Sequence, residues 1–245
     1  MSLDDYHVAV VTGGSRGVGA DVVRALRRRG LEVHAIARDA DKLDALAAET
    51  GCHGHAIDVS ERSSLVAAIG GLEVDVLVNN AAMTAAGTAH ETTAETWARL
   101  LAVNVAGVAN CLGLAVPGMM ARDRGHIVNL TSLAGVHPLP GMPPYGATKA
   151  ALHGLSETMR LDLYGTRVRM TEVCPGRIET GLHLDLMEDR EAAQELFYGG
   201  YECLQPADVA DTILFALDAP AHVDLTMIEI MPTLQVKGGV LFHKN

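Results

Sequence analysis

Residues 12–19 read Thr-Gly-Gly-Ser-Arg-Gly-Val-Gly. A short apolar run, His7–Thr12, leads into them and predicts a buried strand, and a helical pattern over Gly17–Arg29 follows. Glycines at positions 13, 17 and 19 let the backbone turn tightly and approach a phosphate, toward which the helix N-terminus then points. A glycine pattern alone also fits an ordinary turn, but its place between a strand and a helix favours a loop that binds a dinucleotide pyrophosphate.

Strand and helix patterns alternate along the rest of the chain. Further strands are predicted at Glu32–Ala37, His53–Ile57, Val74–Asn79, His126–Leu130, Val168–Cys174 and Met227–Met231, and helices at Asp41–Glu49, Glu61–Ile69, Ala94–Ala121, Tyr145–Leu163 and Pro206–Leu217. This alternation predicts a parallel sheet of about seven strands with helices on both faces. Because no repeat, low-complexity tract or linker interrupts it, residues 1–245 are predicted to form one doubly wound Rossmann domain of the α/β class. The irregular stretches 133–144 and 178–205 are predicted to be substrate loops.

The end of the second predicted strand carries an arginine instead of a carboxylate. A site for NAD usually places Asp or Glu there to hold the ribose hydroxyls, whereas this strand ends at Ala37 and Arg38 follows it. Because a guanidinium matches a phosphate in a forked geometry, Arg38 and Arg16 are predicted to pair with the 2′-phosphate of NADP(H). Asp39 is the residue that would instead favour NAD(H).

The composition limits the partners of the protein. The 245 residues carry a formal net charge of −11, and such a surface repels nucleic acid and anionic lipid. The uncharged segment Leu100–Ala121 is long enough to span a bilayer, but Asn104 and Asn110 would be costly in hydrocarbon, so we expect a buried helix. Four scattered cysteines and the lack of a secretory signal pattern predict a cytoplasmic protein with reduced thiols.

Cys52, His53 and His55 are three residues of metal-ligand type close together in the sequence. On a strand, positions 53 and 55 face one side and position 52 faces the other, so these three side chains do not converge on one ion. We therefore predict no metal site from them.

Tyr145 and Lys149 stand four residues apart on a predicted helix, which places them on one face. An ammonium beside a phenol favours phenolate and lowers the pKa of the phenol, as an oxidised nicotinamide nearby also would. Ser132, just beyond the fifth predicted strand, is placed to hydrogen-bond a substrate oxygen. A Tyr and a Lys at this spacing usually belong to a plain helix surface, but beside a dinucleotide loop they predict a general acid/base.

In combination, these features resemble the short-chain dehydrogenase/reductase family over essentially the whole chain. The matching residues are the glycine loop Thr12–Gly19, Asp58-Val59, Asn79-Asn80-Ala81-Ala82, Asn104, Ser132, Tyr145 with Lys149, Pro175-Gly176 and Thr180. One position departs from the family pattern, because Ala82 stands where glycine is usual. Its methyl group is expected to tighten the loop without removing function.

The resemblance implies a role for each matching position. Tyr145 would be the general acid/base, Ser132 would polarise the substrate carbonyl, and Lys149 would hold the nicotinamide ribose and assist Tyr145. Asn104 would support a proton-relay water. Cofactor contacts would come from Gly13, Ser15, Arg16, Gly17, Val18, Gly19, Arg38, Asp58, Val59, Asn80, Ala81, Ala82, Tyr145, Lys149, Pro175, Gly176, Ile178 and Thr180, with Asp58 and Val59 at the adenine, Asn80 at the adenosine ribose, and Ile178 and Thr180 at the nicotinamide amide.

The resemblance also implies the reaction, a hydride transfer between NADP(H) and a carbonyl or hydroxyl carbon of a small molecule. The C-terminal stretches 205–210 and 228–233 are similar to a branch that includes NADP-dependent serine and 3-hydroxy acid dehydrogenases. Family members usually form homodimers or homotetramers through their long helices, with which Leu100–Ala121 is compatible. Two alternatives stay open. One is a ketoreductase that tailors a larger secondary metabolite, suggested by the proline-rich stretch 136–144; the other is a dinucleotide-sensing protein without turnover.

The predicted loop 178–205 and its flanks contain residues suited to substrate selection. Arg177 and Arg190 fit either a surface charge or a contact to a substrate carboxylate, and the surface charge is the more common use of arginine. Phe197, Tyr198 and Tyr201 stand where a lid would close over a substrate.

Overall fold

A parallel sheet forms the centre of the computed structural model, which describes residues 3–137 and 139–237. In chain order its strands are β1 (Val8–Thr12), β2 (Glu32–Ala37), β3 (His53–Ala56), β4 (Val76–Asn79), β5 (Gly125–Leu130), β6 (Val168–Pro175) and β7 (Met227–Ile230). Within the described residues, these seven strands lie side by side in the order β3-β2-β1-β4-β5-β6-β7, and all neighbours are parallel. From β1 the sheet grows through β2 and β3 toward one edge, and from β4 it grows toward the other edge, so the strand order reverses between β1 and β4. A doubly wound sheet requires this reversal.

Helices cover both faces of this sheet. They are α1 (Gly17–Arg28), α2 (Ala40–Thr50), α3 (Arg62–Ile69), α4 (Ala94–Leu101), α5 (Gly107–Ala121), α6 (Leu133–Val136), α7 (Pro143–Asp162), α8 (Gly181–Leu184), α9 (Arg190–Tyr198) and α10 (Pro206–Leu217). Helices α1, α2 and α10 pack on one face, and α3, α5 and α7 pack on the other. This arrangement explains why the central strands are apolar throughout: Val11 and Val78 point into one core layer, and Val10 and Leu77 into the other.

The predicted strands and helices agree with the observed ones to within two residues at each end. The sequence did not predict α6, α8 and α9, which lie inside the proposed substrate loops. At four residues each, α6 and α8 are too short for helical periodicity to be visible, and the nine-residue α9 lies in a stretch that the sequence analysis treats as irregular. Each has a capping side chain, since Ser132, Thr180 and Asp189 accept hydrogen bonds from the first backbone N–H groups. Because α7 begins at Pro143, the first loop is shorter than predicted, and its Pro138 lies outside the described residues.

The long apolar helix continues from α4 to α5 through a π-helical turn, Ala102–Ala106. Over Ala94–Ala121 it is long and apolar enough to cross a membrane by length and composition. However, half of its most apolar window is buried within the protein, where Val108, Cys111 and Leu112 join the core layer with α3. The helix is therefore a core element, as expected. Its irregularity lies at the π-helical turn, and Pro117 lies inside α5.

Candidate active site

A cavity of about 680 Å³ opens along the carboxyl ends of the strands, at the point between β1 and β4 where the strand order reverses. This is the position at which parallel α/β sheets bind ligands, and the volume is typical of a small-molecule site. Every predicted site residue except Gly19 and Asn104 lines the cavity. The structure thus brings the predicted cofactor residues and the Ser132–Tyr145–Lys149 set to one place.

The glycine loop is fixed to the end of β4. The Asn80 side-chain amide donates to the carbonyls of Thr12 and Gly13 at 2.9 and 3.2 Å, and the backbone N–H groups of Asn80 and Ala81 donate to Thr12 Oγ1 at 3.0 Å each. Gly13 adopts a positive φ of 66°. Gly19 lies directly behind it, and a Cβ there would stand 2.2 Å from the Gly13 carbonyl oxygen. Gly19 therefore supports the loop from behind, and Asn80 has a structural role besides the predicted ribose contact.

Basic side chains gather where β2 ends. Arg38 lines the cavity, is exposed, and has no carboxylate partner among the ion pairs of the described residues. Lys42, which the sequence analysis did not select, also lines the cavity one turn further on. Asp39 caps α2 by accepting from the Lys42 N–H at 3.1 Å, and its carboxylate is ion-paired with the Lys42 ammonium. Asp39 also lines the cavity, but both of its carboxylate oxygens are engaged by Lys42 at the start of α2.

Arg16 reaches across the cavity mouth to the second substrate loop. It forms an ion pair with Asp185, which also pairs with Arg190 at 3.1 Å. The two guanidinium groups lower the pKa of Asp185, although burial opposes this. Arg16 therefore connects the glycine loop to the segment after α8, a contact between residues 169 positions apart that sequence spacing does not reveal.

Asp58 and Val59 follow β3 at the predicted adenine end of the cavity. The Asp58 carboxylate accepts from the Ser60 N–H at 2.9 Å and from Ser60 Oγ at 2.6 Å, and it is ion-paired with Arg99. Although burial opposes ionisation, these partners lower the pKa of Asp58 to about 2. Asp58 is therefore an ionised, fixed acceptor at neutral pH.

Tyr145, Ser132 and Lys149 meet below the glycine loop. Tyr145 is hydrogen-bonded to Ser132, and the Lys149 ammonium lies 5.7 Å from the centre of the Tyr145 ring. Lys149 Nζ also donates to the Leu130 carbonyl at 2.7 Å, which ties α7 to the end of β5. Tyr145 and Lys149 are both buried, and both line the cavity.

The predicted direction of the Tyr145 pKa shift is wrong for the protein without a bound cofactor. The sequence analysis predicts that Lys149 lowers the pKa of Tyr145, but burial raises it to about 12, against the opposing effect of the hydrogen bond with Ser132. Burial also lowers the pKa of Lys149 to about 8, so its positive charge is itself weakened. The phenol is consequently held in its protonated form at neutral pH.

Asn104 lies behind the cavity wall, fully buried in the π-helical turn. Its amide donates to the Met83 carbonyl at 2.9 Å and accepts from the Met83 N–H at 2.8 Å. It also donates to Thr148 Oγ1 at 3.0 Å, and Thr148 in turn donates to the Tyr145 carbonyl at 2.8 Å. The π-helical turn thus directs Asn104 toward the helix that carries Tyr145 and Lys149, an arrangement often found at functional sites.

A buried charged group that the sequence analysis missed lies next to Ser132. His153 and Glu172 form an ion pair at 2.5 Å, and Glu172 is almost fully buried. The hydrogen bond with Cys174 and the contact with Glu172 raise the pKa of His153 to about 10, so the imidazole is protonated at neutral pH. The sequence contained a signal for it, because Tyr145, Lys149 and His153 recur every four residues on one helical face.

The second substrate loop folds over the cavity through an aromatic cluster. Tyr198 donates to the Thr180 carbonyl at 2.8 Å and accepts from the Thr180 N–H at 3.2 Å, while His183 Nδ1 lies 3.0 Å from the same hydroxyl. Burial lowers the pKa of His183 to about 4, so its ring is neutral. Phe197 stacks on His183, and both line the cavity. Tyr198 therefore braces the loop, whereas Phe197 faces the site.

The two arginines near this loop have different positions. Arg177 is half-buried, lines the cavity, donates to the Phe197 carbonyl at 2.7 Å and lies 5.2 Å from the Tyr201 ring centre. Arg190 is an exposed partner of Asp185 and does not line the cavity. The surface-charge interpretation is thus right for Arg190 and wrong for Arg177, which is held by its contacts with Phe197 at the end of α9 and with Tyr201.

The stretch after β6 is held in place by backbone contacts. The Gly176 N–H donates to the Ile230 carbonyl at 2.8 Å, and Ile178 pairs with Leu204. The Arg177 N–H donates to the Gln235 side chain at 2.9 Å. These contacts fix the stretch that contains the cavity-lining residues Pro175, Gly176 and Ile178.

Comparison with known proteins agrees with this geometry. Residues 7–191 match the short chain dehydrogenase family. The chain belongs to this family. It is 37% identical over 243 residues to an uncharacterised short-chain type dehydrogenase/reductase of Sinorhizobium fredii, covering 99% of this chain and 98% of the relative. It is 33% identical to an NADP-dependent 3-hydroxy acid dehydrogenase of Salmonella typhi, covering 97% of this chain and 100% of the relative.

The fold also matches a solved dehydrogenase closely. The closed form of serine dehydrogenase complexed with NADP⁺ superposes with a TM-score of 0.91 at 31% identity, covering 97% of this chain and 100% of that one. These comparisons confirm the predicted family and its doubly wound fold.

Proposed function

We propose that this chain is an NADP(H)-dependent oxidoreductase that interconverts a hydroxyl and a carbonyl group by hydride transfer, with Tyr145 as the proton donor and acceptor. The observation that carries the proposal is the junction of the Ser132–Tyr145–Lys149 set and the glycine loop in one cavity. Family membership and the NADP-dependent relatives support the same reaction class.

The residues present fit an NADP(H) cofactor. The glycine loop leaves no room for side chains at Gly13 and Gly19, so its backbone can approach a pyrophosphate at the N-terminus of α1. At the ribose end, Arg38 supplies a guanidinium with no carboxylate partner among the ion pairs of the described residues, and the charges of Asp39 and Lys42 offset each other in their ion pair. A guanidinium suits a 2′-phosphate. Arg16, although paired with Asp185, also lines the cavity.

The chemistry follows from the protonation states of the site. When bound, the cofactor supplies or accepts the hydride. In the reductive direction, the protonated Tyr145 phenol gives its proton to the substrate oxygen, and Ser132 donates a hydrogen bond that stabilises the negative charge developing there. Lys149 holds its ammonium beneath the Tyr145 ring, where it favours the phenolate left behind. Asn104 positions Tyr145 and Lys149 through Thr148.

We further propose a 3-hydroxy acid, including serine-like compounds, as the substrate class. The named relatives act on such compounds, and Arg177 is the cavity-lining arginine in the wall between Gly176 and Ile178. A guanidinium presents its donors in a fork that fits a carboxylate. Leu139, Met142 and Phe197 make the remainder of this end largely apolar, which suits a short aliphatic chain.

The test follows cofactor oxidation or reduction by absorbance with four groups of compounds: 3-hydroxy acids, serine, neutral secondary alcohols, and bulky aromatic ketones. We expect turnover with NADP⁺ and a 3-hydroxy acid, and loss of turnover in Tyr145→Phe, which should still bind NADPH. Activity confined to bulky ketones would favour the tailoring ketoreductase instead. Tight NADPH binding without turnover of any compound would favour a sensing protein.

Arg177→Met and Arg190→Met form a matched pair for the carboxylate contact. We expect the first variant to raise KM for hydroxy acids at least tenfold while KM for neutral alcohols stays the same, and the second to change neither. An equal rise for acids and neutral alcohols in Arg177→Met would show that Arg177 only supports α9.

We also propose that the protein is a cytoplasmic homodimer or homotetramer. Leu161, Tyr164 and Phe215 are large apolar residues with exposed fractions of 76%, 91% and 67%, and such surface commonly lies in subunit contacts. Light scattering coupled to size-exclusion chromatography distinguishes a 25.8 kDa monomer from these assemblies.

A further inference from the structure

Histidines that are distant in sequence come together on β2 and the edge strand β3 of the sheet. In the register of β2 with β3, His34 lies opposite His53, and the positions two residues along on each strand share the same face. Glu32 and His34 therefore project beside His53 and His55. Cys52 packs into the opposite core layer under α2, as the sequence analysis predicted. The side chains that lie beside His53 therefore belong to the neighbouring strand β2.

The ligand atoms of three of these side chains are spaced as around one ion. Glu32 Oε1 lies 3.0 Å from His34 Nε2 and 3.6 Å from His53 Nε2. The ligand atoms of Glu32, His34 and His53 all lie within 4.8 Å of one another. In a tetrahedral site with bonds of about 2.0–2.1 Å, neighbouring ligand atoms are about 3.4 Å apart. The observed separations of Glu32 Oε1 from the two histidine nitrogens, 3.0 and 3.6 Å, lie on either side of this value.

His55 supplies the outer partner that metal-binding histidines usually have. His34 Nδ1 lies 2.9 Å from His55 Nε2. If His34 donates its Nδ1 proton there, its Nε2 lone pair is left toward Glu32 and His53, the tautomer that a metal ligand needs.

The exposure of the cluster allows an ion to enter. His34 is 7% exposed and held between its neighbours, whereas the side chains of His53 and Glu32 are 56% and 49% exposed. The His34 and His53 rings now stack with their centres 4.8 Å apart, so the His53 ring has to turn about its χ2 torsion to direct Nε2 at a shared ion. That torsion is soft and the side chain is half in solvent, so the rearrangement is small.

We propose that this cluster binds one Zn²⁺ or a similar divalent transition metal per chain, with Glu32, His34 and His53 as protein ligands and water in the fourth position. None of the four clustered residues lines the catalytic cavity, so the ion has a structural role. It joins the four-residue edge strand β3 to β2, and β3 leads directly to Asp58 and Val59 at the cofactor site. Two histidines and a carboxylate are a ligand set that Zn²⁺ commonly accepts.

The test uses full-length protein, freed of any histidine tag and stripped with a chelator, and titrates Zn²⁺ by calorimetry. We expect one equivalent per chain and a Tm that rises with the free Zn²⁺ concentration. Titration with Co²⁺ should give the intense visible bands of tetrahedral coordination. His53→Asn and Glu32→Gln should each weaken binding at least tenfold, and His55→Asn by about 10- to 100-fold through the orientation of His34.

The matched controls are His90→Asn, an exposed histidine outside the cluster, and Cys203→Ser, which removes a half-buried thiol. Both should bind Zn²⁺ like the unchanged protein. Because His53 and Glu32 are exposed, their variants should keep the circular dichroism spectrum and NADPH affinity of the parent. The proposal would be overturned if the unchanged protein bound no stoichiometric Zn²⁺. It would also be overturned if His53→Asn and Glu32→Gln bound Zn²⁺ as tightly as the unchanged protein.

Discussion

Gly19→Ala tests whether the shape of the glycine loop depends on the residue behind it. The new Cβ would lie 2.2 Å from the Gly13 carbonyl oxygen and 2.6 Å from Asn80 Nδ2. Restoring even a 3.0 Å separation from the oxygen requires a movement of about 0.8 Å, and the obstructing atom is backbone that cannot rotate away. Overpacking of this kind costs about 1–3 kcal/mol, while alanine gains about 1 kcal/mol of helix propensity in α1. We expect a net loss of about 0–2 kcal/mol in the free energy of unfolding.

The effect on cofactor binding should be larger than the effect on stability. Displacing the loop by about 0.8 Å misaligns N–H groups that would face the pyrophosphate, and one hydrogen bond to a charged group contributes about 1.5–3 kcal/mol. We therefore expect the Kd for NADPH, measured by fluorescence titration, to rise about 10- to 100-fold.

Gly154→Ala is the matched control. Gly154 is an exposed helical glycine in α7 whose added Cβ would meet nothing within 4 Å. We expect it to stabilise the protein by about 0.5–1 kcal/mol in urea unfolding with no change in the Kd. The reasoning would be refuted if Gly19→Ala bound NADPH within twofold of the parent protein.

Three further predictions concern charge and protonation. Arg38→Ala should raise KM for NADPH about 10- to 100-fold and leave KM for NADH nearly unchanged, since a lost charged hydrogen bond contributes about 1.5–3 kcal/mol; an equal effect on both cofactors would contradict the 2′-phosphate contact. Because burial raises the pKa of Tyr145 to about 12, the phenolate needed for oxidation is scarce at neutral pH, and log kcat for oxidation should rise with pH. Ser132→Ala removes a hydrogen bond that lowers this pKa, so this variant should move the pH profile of kcat to still higher pH. The folded-state pKa of Asp58 is lowered from 3.8 to about 2, so its stabilising contribution is present above pH 3.8 and is lost as the pH falls through 2. Between pH 5 and 2, the free energy of unfolding measured in urea should therefore fall less in Asp58→Asn than in the parent protein, by at most about 2 kcal/mol before solvent screening. The same pH dependence in both proteins would argue against a lowered pKa of Asp58.

Most of the fold could be predicted because its signals are local. The alternation of short apolar runs with helical patterns lies within windows of about ten residues, and the order of those windows leaves few parallel topologies. The proposed Tyr145–Lys149 pair was visible for the same reason, since the two residues are one helical turn apart. The short helices α6 and α8 were missed because four residues carry too little periodicity.

The sequence by itself determined the doubly wound sheet, the glycine loop and the identity of the residues that meet in the cavity. Only the tertiary structure decided what those residues contact. Burial reversed the expected pKa shift of Tyr145, and the start of α2 occupied Asp39. The pairing of β2 with β3 brought Glu32 and His34 beside His53. The physical reason is that periodicity is a property of one segment, whereas burial, register and ion pairing depend on segments that only the folded chain brings together.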